Sequence, residues 1–247
     1  MTAIPPPTVT LPSVDRPSAG GLVDVQLLGG FRLLVGGAAV AAPQFVARLL
    51  AFLALRRLPQ DRLLVASCLW PDVPEERASA NLRTTLWKVR RAAEGLVVVD
   101  GRLLRLGPRV RVDVDEVTEA ARLLLGPDEV ELDRWPVRHL DAELLPEWFD
   151  EWALFERERF RQLRLHALEA LCRRLSAEDR HAEAIDAGMA AVSAEPLRET
   201  AHRALIAAYV AEGNQAEAVR HYDRLRGLLA EHGLAEPAVA LGELLAG

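Results

Sequence analysis

Residues 77–91 of the chain read RASANLRTTLWKVRR, and this stretch decides how the rest of the sequence is interpreted. It carries five positive charges and no negative one, although the whole chain has a formal net charge of −6. It also contains Lys88, the only lysine of the sequence. On a helical wheel, one side of the segment is an apolar stripe of Leu82, Leu86, Val89 and Ala93. The segment therefore predicts a helix that packs on a core with one face and presents cations on the other.

The opposite face combines cations with short hydrogen-bonding side chains. Arginine and lysine prefer the O6 and N7 atoms of guanine, asparagine prefers adenine, and the threonine methyl group meets thymine. We therefore take this segment as a candidate recognition helix for DNA, with contacts from Arg77, Asn81, Arg83, Thr84, Thr85, Lys88 and Arg91. The alternative from the residues alone is a solvated polar face, which is what a basic helix surface usually is.

The elements around this segment predict a winged helix-turn-helix. Pro43 suits the first turn of an apolar helix, and Asp61 can cap a second helix that ends before Pro71. A loop of residues 71–76, PDVPEE, leads into the basic helix. After it, Asp100-Gly101 between two β-prone runs predicts a hairpin, with Arg102 at its tip. A hairpin in that position is a wing, so Arg102 is a further candidate for a phosphate or minor-groove contact.

The residues before the first helix predict a small antiparallel sheet. Short β-prone runs between Leu22 and Ala41 are separated by the glycine pairs 29–30 and 36–37, which favour tight turns. These glycines do not match a dinucleotide-binding fingerprint. Residues 1–21 hold five prolines and lack the pattern of a signal peptide, so they are predicted to be a disordered tail. With no apolar run long enough for a membrane span, we expect a cytoplasmic protein that does not contact a membrane.

Charge divides the chain after Val114. Residues 1–114 have a net charge of +6, and residues 115–247 have a net charge of −12. The acidic part reads as almost wholly helical, with one long helix predicted over residues 147–175. The sequence AEAI at 182–185 recurs as AEAV at 216–219, an offset of 34 residues. That offset is the tetratricopeptide period, which predicts stacked helix pairs and a protein-binding surface.

Nothing in the sequence predicts an enzyme, a metal site or a cofactor site. The six histidines form no zinc or metalloprotease pattern, and no phosphate-binding loop or nucleophile elbow is present. The four aromatic residues of the segment 148–155 are interpreted as core. Cys68 and Cys172 lie far apart within apolar helical patterns and are interpreted as small buried hydrophobes.

Residues 22–247 resemble the Streptomyces antibiotic regulatory protein family of transcriptional activators. The resemblance rests on LLGGFRLLVGGAAV, LWPD and ANLRTTLWKVRRA in the first half, and on ELLPEWFDEWALFERERFRQLRLHALEAL and EPLRETAHRALIAAYVAEGNQAEAVRHYDRLRGLLAEHGLAEP in the second. It implies an OmpR-type winged helix over residues 22–114 and a bacterial transcriptional activator domain over residues 115–247. The expected fold is thus α+β, followed by an all-α tetratricopeptide-like domain.

The same resemblance implies a function. Members bind direct repeats near promoters, usually as head-to-tail dimers, and recruit RNA polymerase to antibiotic and other secondary-metabolite genes. In OmpR-type relatives the corresponding loop touches RNA polymerase, so the loop of residues 71–76 is expected to meet a basic surface of the σ subunit through Asp72, Val73 and Glu75. The α subunit is a further candidate partner. If the loop is only a connector, the polymerase contact is expected on the acidic domain.

One departure from the family leaves room for another interpretation. Gln44-Phe45 stands where many members of the family carry basic residues, so a DNA-backbone contact there is in doubt. The competing hypothesis is a protein-interaction adaptor, in which the repeat domain binds a partner and the winged domain does not bind DNA. Because the chain is short, we expect a stand-alone activator with no nucleotide switch.

Overall fold

The computed structural model describes residues 22–126, 132, 140 and 142–246. Within them the chain forms two compact units, one of residues 22–25 and 32–111, the other of residues 26–31 and 112–246. The predicted tail of residues 1–21 lies outside the described residues. None of the described helices is both long enough and apolar enough to cross a membrane.

Seven strands in the described residues form two small sheets. They are β1 (Val23–Gln26), β2 (Arg32–Val35), β3 (Ala38–Val40), β4 (Gln60–Asp61), β5 (Val97–Asp100), β6 (Leu103–Leu106) and β7 (Val110–Val112). One sheet has the order β3-β2-β1-β7 and the other the order β4-β6-β5. The β2–β3 hairpin turns at Gly36-Gly37, both with positive φ, as the sequence predicts.

The β5–β6 hairpin is the predicted wing, but its turn lies one residue later than expected. Asp100 pairs with Leu103, so the two loop residues are Gly101 and Arg102 rather than Asp100 and Gly101. Gly101 has a φ of 56°, which a glycine at the first loop position adopts without steric cost. Arg102 is therefore itself a turn residue.

Three helices complete the first unit: α1 (Gln44–Arg56), α2 (Arg62–Leu69) and α3 (Glu75–Ala92). Eight of the thirteen residues of α1 are buried, as expected for a helix that is apolar nearly all round. Asp61 caps α2, because its side chain accepts a hydrogen bond of 2.8 Å from the backbone of Leu63. Helices α1, α2 and α3 pack against one another, which gives the helix-turn-helix its frame.

The segment of residues 26–31, from the end of β1 to the start of β2, belongs to the second unit. No local sequence pattern predicts this assignment. Helix α4 (Asp113–Leu125) begins beside the segment, and the predicted boundary after Val114 falls within this helix. The Asp113 carboxylate accepts hydrogen bonds from the backbone of Leu27 at 2.9 and 3.0 Å and of Leu28 at 3.0 Å. It also accepts one of 2.8 Å from the backbone of Val114. One carboxylate thus joins the segment 26–31 to the start of α4.

From Glu151 to Ala246, the described residues of the second unit form a stack of helix pairs followed by a short last helix. The helices are α5 (Glu151–Ala177), α6 (His181–Ala194), α7 (Glu199–Ala211), α8 (Gln215–Glu231) and α9 (Leu241–Ala246). Helices α6 and α8 begin 34 residues apart, at the offset of the sequence repeat. Gly188 of α6 lets Leu205 of α7 approach closely, since a β carbon on the glycine would lie 3.1 Å from the leucine side chain. The predicted fold class, a winged domain followed by a helical repeat domain, is confirmed.

Helix α5 begins four residues later than predicted, at Glu151 rather than Glu147. The guanidinium of Arg157 donates hydrogen bonds to the carbonyls of Leu144, Leu145 and Trp148, which holds the chain before the helix in a non-helical path.

The four aromatic residues of the segment 148–155 are interpreted as core from the sequence, but only two of them pack against other aromatic rings of the described residues. The ring of Trp148 lies 6.0 Å from the rings of both Phe31 and Trp152, so these three pack together. Phe149 and Phe155, in contrast, are 79% and 66% exposed. Of the two cysteines, Cys172 is buried as expected, and burial raises the pKa of its thiol to about 11, whereas Cys68 is only half-buried.

Candidate nucleic-acid interface

The charged residues of α3 are distributed favourably between its two ends. It follows Pro74, carries Glu75 and Glu76 in its first turn and Arg90 and Arg91 in its last. Acids near the N-terminus and cations near the C-terminus both interact favourably with the helix dipole. The cations of this helix are thus compatible with its stability.

The buried face of α3 differs from the predicted stripe in one position that matters for function. Its buried residues are Ala78, Leu82, Thr85 and Val89. Thr85 is only 2% exposed, and its hydroxyl donates a 2.9 Å hydrogen bond to the carbonyl of Asn81. In this structure Thr85 therefore faces the core rather than solvent, and its predicted contact with DNA stays a prediction that would need α3 to rotate. Leu86, predicted to be core, is half-buried.

The exposed face carries most of the other candidates. The exposed residues are Arg77, Arg83, Thr84, Arg90 and Arg91, while Asn81 and Lys88 are half-buried. The hydroxyl of Thr84 donates a 3.1 Å hydrogen bond to the carbonyl of Ala80, which leaves its methyl group and an oxygen lone pair toward solvent. This face combines the groups that can meet phosphates and base edges in a major groove.

The cations of α3 are not neutralised within the described part of the chain. There, no carboxylate oxygen lies within 4 Å of the charged group of Arg77, Arg83, Lys88, Arg90 or Arg91. The arginines of the helical unit are placed differently, because many of them pair with carboxylates. Examples are Arg161 with Glu158 at 2.9 Å and Arg226 with Glu236 at 2.9 Å. The positive charge of α3 is thus available to an external anion.

Two cations of α3 lie over aromatic rings instead. The ammonium nitrogen of Lys88 lies 4.2 Å from the centre of the Phe45 ring, and Phe45 belongs to α1. The guanidinium carbon of Arg91 lies 5.0 Å from the ring of Trp87, which is 56% exposed. Both distances are within the range of cation–π attraction. The rings hold the side chains in place without cancelling their charge.

Arg102 of the wing is exposed but tethered. Its Nε atom lies 3.3 Å from Oδ2 of Asp61, and its side chain is 69% exposed. The backbone carbonyl of Arg102 also accepts a 2.9 Å hydrogen bond from the backbone of Arg62. The hydrogen bond from Leu63, aided by Arg102, lowers the pKa of Asp61. The wing tip is thereby linked to the start of α2, and the rest of the guanidinium faces solvent.

The loop between α2 and α3 is shorter than predicted. It covers residues 70–74, because Glu75 and Glu76 already belong to α3. Asp72 and Glu75 are exposed and Val73 is half-buried. Beside the loop lies a groove of about 380 Å³, lined by Leu63, Leu64, Ser67, Trp70, Pro71, Val73, Glu75 and Ala78.

Sequence reasoning missed the contribution of α2 to this groove. Leu63 and Leu64 are 41% and 46% exposed, although they open an apolar run that reads as core. The available signal was the length of the run: four consecutive apolar residues cannot all face one side of a helix.

Comparison with known proteins places the helical unit in a family. Residues 110–246 match the model of the bacterial transcriptional activator domain. The chain belongs to the bacterial transcriptional activator domain family. This membership and the relatives below confirm the resemblance to the Streptomyces antibiotic regulatory proteins. The match does not include α3, so the interface of this family member is argued from its own residues.

Two similar proteins are called AfsR, and both are described as regulatory proteins. The one from Streptomyces coelicolor is 28% identical over 213 residues, which cover 78% of this chain and 21% of the relative. The one from Streptomyces griseus is 28% identical over 257 residues, which cover 96% of this chain and 26% of the relative. This member of the family thus spans about a quarter of the length of either relative.

A solved structure has a similar fold. Mycobacterium tuberculosis EmbR, in complex with a low-affinity phosphopeptide, superposes with a TM-score of 0.67 and 21% sequence identity. The similarity covers 92% of this chain and 64% of EmbR. It supports the architecture of this family member, a winged unit followed by a helical one.

The described residues contain no cluster of three or more histidine, cysteine, aspartate or glutamate side chains that could hold a metal ion.

Proposed function

We propose that the chain is a sequence-specific DNA-binding activator of transcription, with α3 as its recognition helix. The observation that carries the proposal is the uncompensated charge of α3, whose five cations have no carboxylate within 4 Å in the described residues. Membership in a family of transcriptional activators supports it. A cation without an internal partner gains more binding free energy from a phosphate than a cation that must first break an ion pair with a carboxylate.

In this proposal α3 lies in the major groove and the wing follows the DNA backbone. Arg77, Arg83 and Arg91 are the candidates for guanine or phosphate contacts, and Thr84 and Asn81 for contacts to other base edges. Arg102 supplies a contact to phosphate or the minor groove from the hairpin. Two copies of the chain bind direct repeats as a dimer.

The step after DNA binding is recruitment of RNA polymerase. Asp72, Val73 and Glu75 present a short acidic and apolar surface, and the adjoining groove adds Leu63 and Leu64 to it. This surface is suited to a partner with basic and apolar side chains, for which the σ subunit is our candidate. The acidic helical unit is a further candidate contact, for instance with the α subunit. The genes we expect to be controlled serve antibiotic or other secondary metabolism, and the site of action is the cytoplasm.

The adaptor hypothesis keeps one observation in its favour. Phe149 and Phe155 expose large aromatic surfaces on the helical unit, and exposed aromatic side chains are common in protein-binding sites. If the chain were only an adaptor, those residues would be its functional surface and α3 would be a solvated helix.

A gel shift separates the two functions. The full chain is titrated onto DNA from the promoters nearest its own gene and onto a random-sequence duplex, at several salt concentrations. Neutralisation of about five phosphates predicts a slope of about −4.5 in the plot of log affinity against log salt. Tighter binding to one promoter than to the random duplex supports the proposal. Absence of binding to every duplex at low salt favours the adaptor.

A further inference from the structure

Lys88 is placed differently from the exposed arginines of its helix. Arg77, Arg83 and Arg90 extend into solvent, whereas Lys88 is half-buried and its ammonium lies 4.2 Å from the centre of the Phe45 ring. Phe45 is the second residue of α1, so this contact joins two helices. Lys88 therefore points toward the start of α1 rather than straight out from α3.

The Phe45 ring fixes the position of the charge without consuming it. A phenylalanine side chain has no oxygen or nitrogen, so it attracts the ammonium only through its π face. An ammonium has three N–H donors, and the donors on the side away from the ring stay free. A carboxylate in the same place would have held the lysine equally well but would have cancelled its charge.

The chemistry of the held group suits a phosphate better than a base. Guanine is read best by a planar guanidinium that forms two parallel hydrogen bonds, whereas an ammonium is a compact point charge. All other Lys or Arg positions of the chain hold arginine, including Arg77, Arg83 and Arg91, the candidates for guanine contacts on α3. The single lysine of the chain thus stands where the Phe45 ring of α1 holds the ammonium of α3 in place.

We propose that Phe45 is a positioning residue for Lys88 and that the ammonium so held binds a DNA phosphate rather than a base. The inference rests on the proposed DNA binding and adds a residue and a role to it. It brings the start of α1 into the interface, although residues 43–45, Pro-Gln-Phe, carry no charge.

The test is a pair of double-mutant cycles read by fluorescence anisotropy with a labelled random-sequence duplex, on which only backbone contacts count. The single variants are Lys88→Met, Phe45→Leu and Arg90→Met. Arg90→Met is the control, because it removes a cation of the same helix that extends into solvent. Phe45→Leu is then combined with each of the two cation variants. Phe45→Tyr keeps the ring and serves as the rescue, and thermal melting shows whether each variant is folded.

The expected change in affinity for Lys88→Met is that of losing one phosphate contact. Lys88→Met should weaken binding by about fivefold to tenfold at about 0.1 M salt and make the salt slope shallower by about one unit, equally on the random duplex and on a promoter fragment. Phe45→Leu should weaken binding in the wild-type and Arg90→Met backgrounds but have no effect in the Lys88→Met background. Phe45→Tyr should bind like the wild type.

Three results would overturn the inference while leaving the proposed function intact, provided that the wild-type chain binds DNA. They are an unchanged slope in Lys88→Met, an effect of Phe45→Leu that persists in the Lys88→Met background, and a loss on promoter DNA only, which would make Lys88 a base contact. If the wild-type chain binds no duplex at all, the proposed DNA binding is wrong and the inference falls with it.

Discussion

Nδ1 of His202 lies 2.9 Å from Nε2 of His221, and both imidazoles are buried between α7 and α8. Nε2 of His202 lies 2.8 Å from the carbonyl oxygen of Pro196. Burial lowers the pKa of His202, so its ring is neutral near pH 7. Because a carbonyl can only accept a hydrogen bond, the single N–H of this neutral ring lies on Nε2, and Nδ1 accepts a hydrogen bond from Nε2 of His221.

This pair predicts that the helical unit loses stability in mild acid. Burial, then His202 and Arg224, lowers the pKa of His221 from 6.5 to about 4, and burial also lowers the pKa of His202. In the unfolded chain His221 is protonated below about pH 6.5, whereas in the folded chain it is protonated only near pH 4. Protons therefore favour the unfolded chain between these values, and stability that is present above pH 6.5 is lost as the pH falls toward 4. From about pH 7 to pH 5, His221 alone should cost about 2 kcal/mol in urea unfolding.

Two substitutions test the assignment. His221→Gln keeps an N–H donor for His202 but removes the titrating ring, so its stability should depend less on pH than that of the wild type. His166→Gln, at an exposed position of α5, should leave the dependence unchanged. An unaltered pH profile in His221→Gln would place the acid sensitivity elsewhere.

A second prediction concerns the carboxylate of Asp113, which holds the backbone of Leu27 and Leu28. Asp113→Ala leaves these buried N–H groups without their acceptor and should lower the free energy of unfolding by about 2–4 kcal/mol. Glu116→Ala, at an exposed position in the same first turn of α4, should change it by less than about 0.5 kcal/mol. Urea unfolding measures both, and equal stabilities would show that the carboxylate contributes little.

The two adjacent threonines of α3 should respond differently in DNA binding. Thr84→Ala removes an exposed methyl group and hydroxyl, and should weaken promoter binding by about fivefold, the size of one small base contact. Thr85→Val keeps the shape of a buried side chain and should not change the affinity. Anisotropy titrations distinguish them; a loss in Thr85→Val alone would mean that α3 rotates when it binds DNA.

The loop between α2 and α3 should be needed for activation but not for DNA binding. Asp72→Arg combined with Val73→Ser changes the charge and the apolar surface beside the groove, and should abolish activated transcription with purified polymerase while promoter affinity stays nearly the same. Asp186→Arg makes the same charge change on the exposed face of α6 and tests the acidic helical unit, the other candidate contact, separately. If the loop variant still activates, the polymerase contact lies elsewhere.

Features set by neighbouring residues could be predicted from the sequence. Proline, glycine and aspartate act on the backbone within one or two residues, so Pro43, Asp61 and Gly36-Gly37 mark real starts and turns. The 34-residue repeat places α6 and α8 for a similar reason, since each copy forms the same local structure. The basic face of α3 was also visible, because charge is read directly from the chain.

Features set by distant partners could not be predicted. A helical wheel shows which residues share a face, but packing decides how the helix is rotated. The small side chain of Ala78 faces the core and brings Thr85 with it, while Leu86 is displaced to the edge. The ring under Lys88 comes from α1, some forty residues earlier, and no local pattern joins the two.

The segment 26–31 has a consequence for how this protein can be divided. It belongs to the helical unit, yet residues 23–25 of β1 before it and the whole of β2 after it belong to the winged one. A fragment that starts at Val112 has Asp113 but lacks its amide donors at Leu27 and Leu28, and a fragment that ends at Arg111 has those donors but lacks their acceptor. Neither unit is therefore one continuous segment of the chain, and a chimaera that exchanges one of them needs three junctions, at residues 25/26, 31/32 and 111/112.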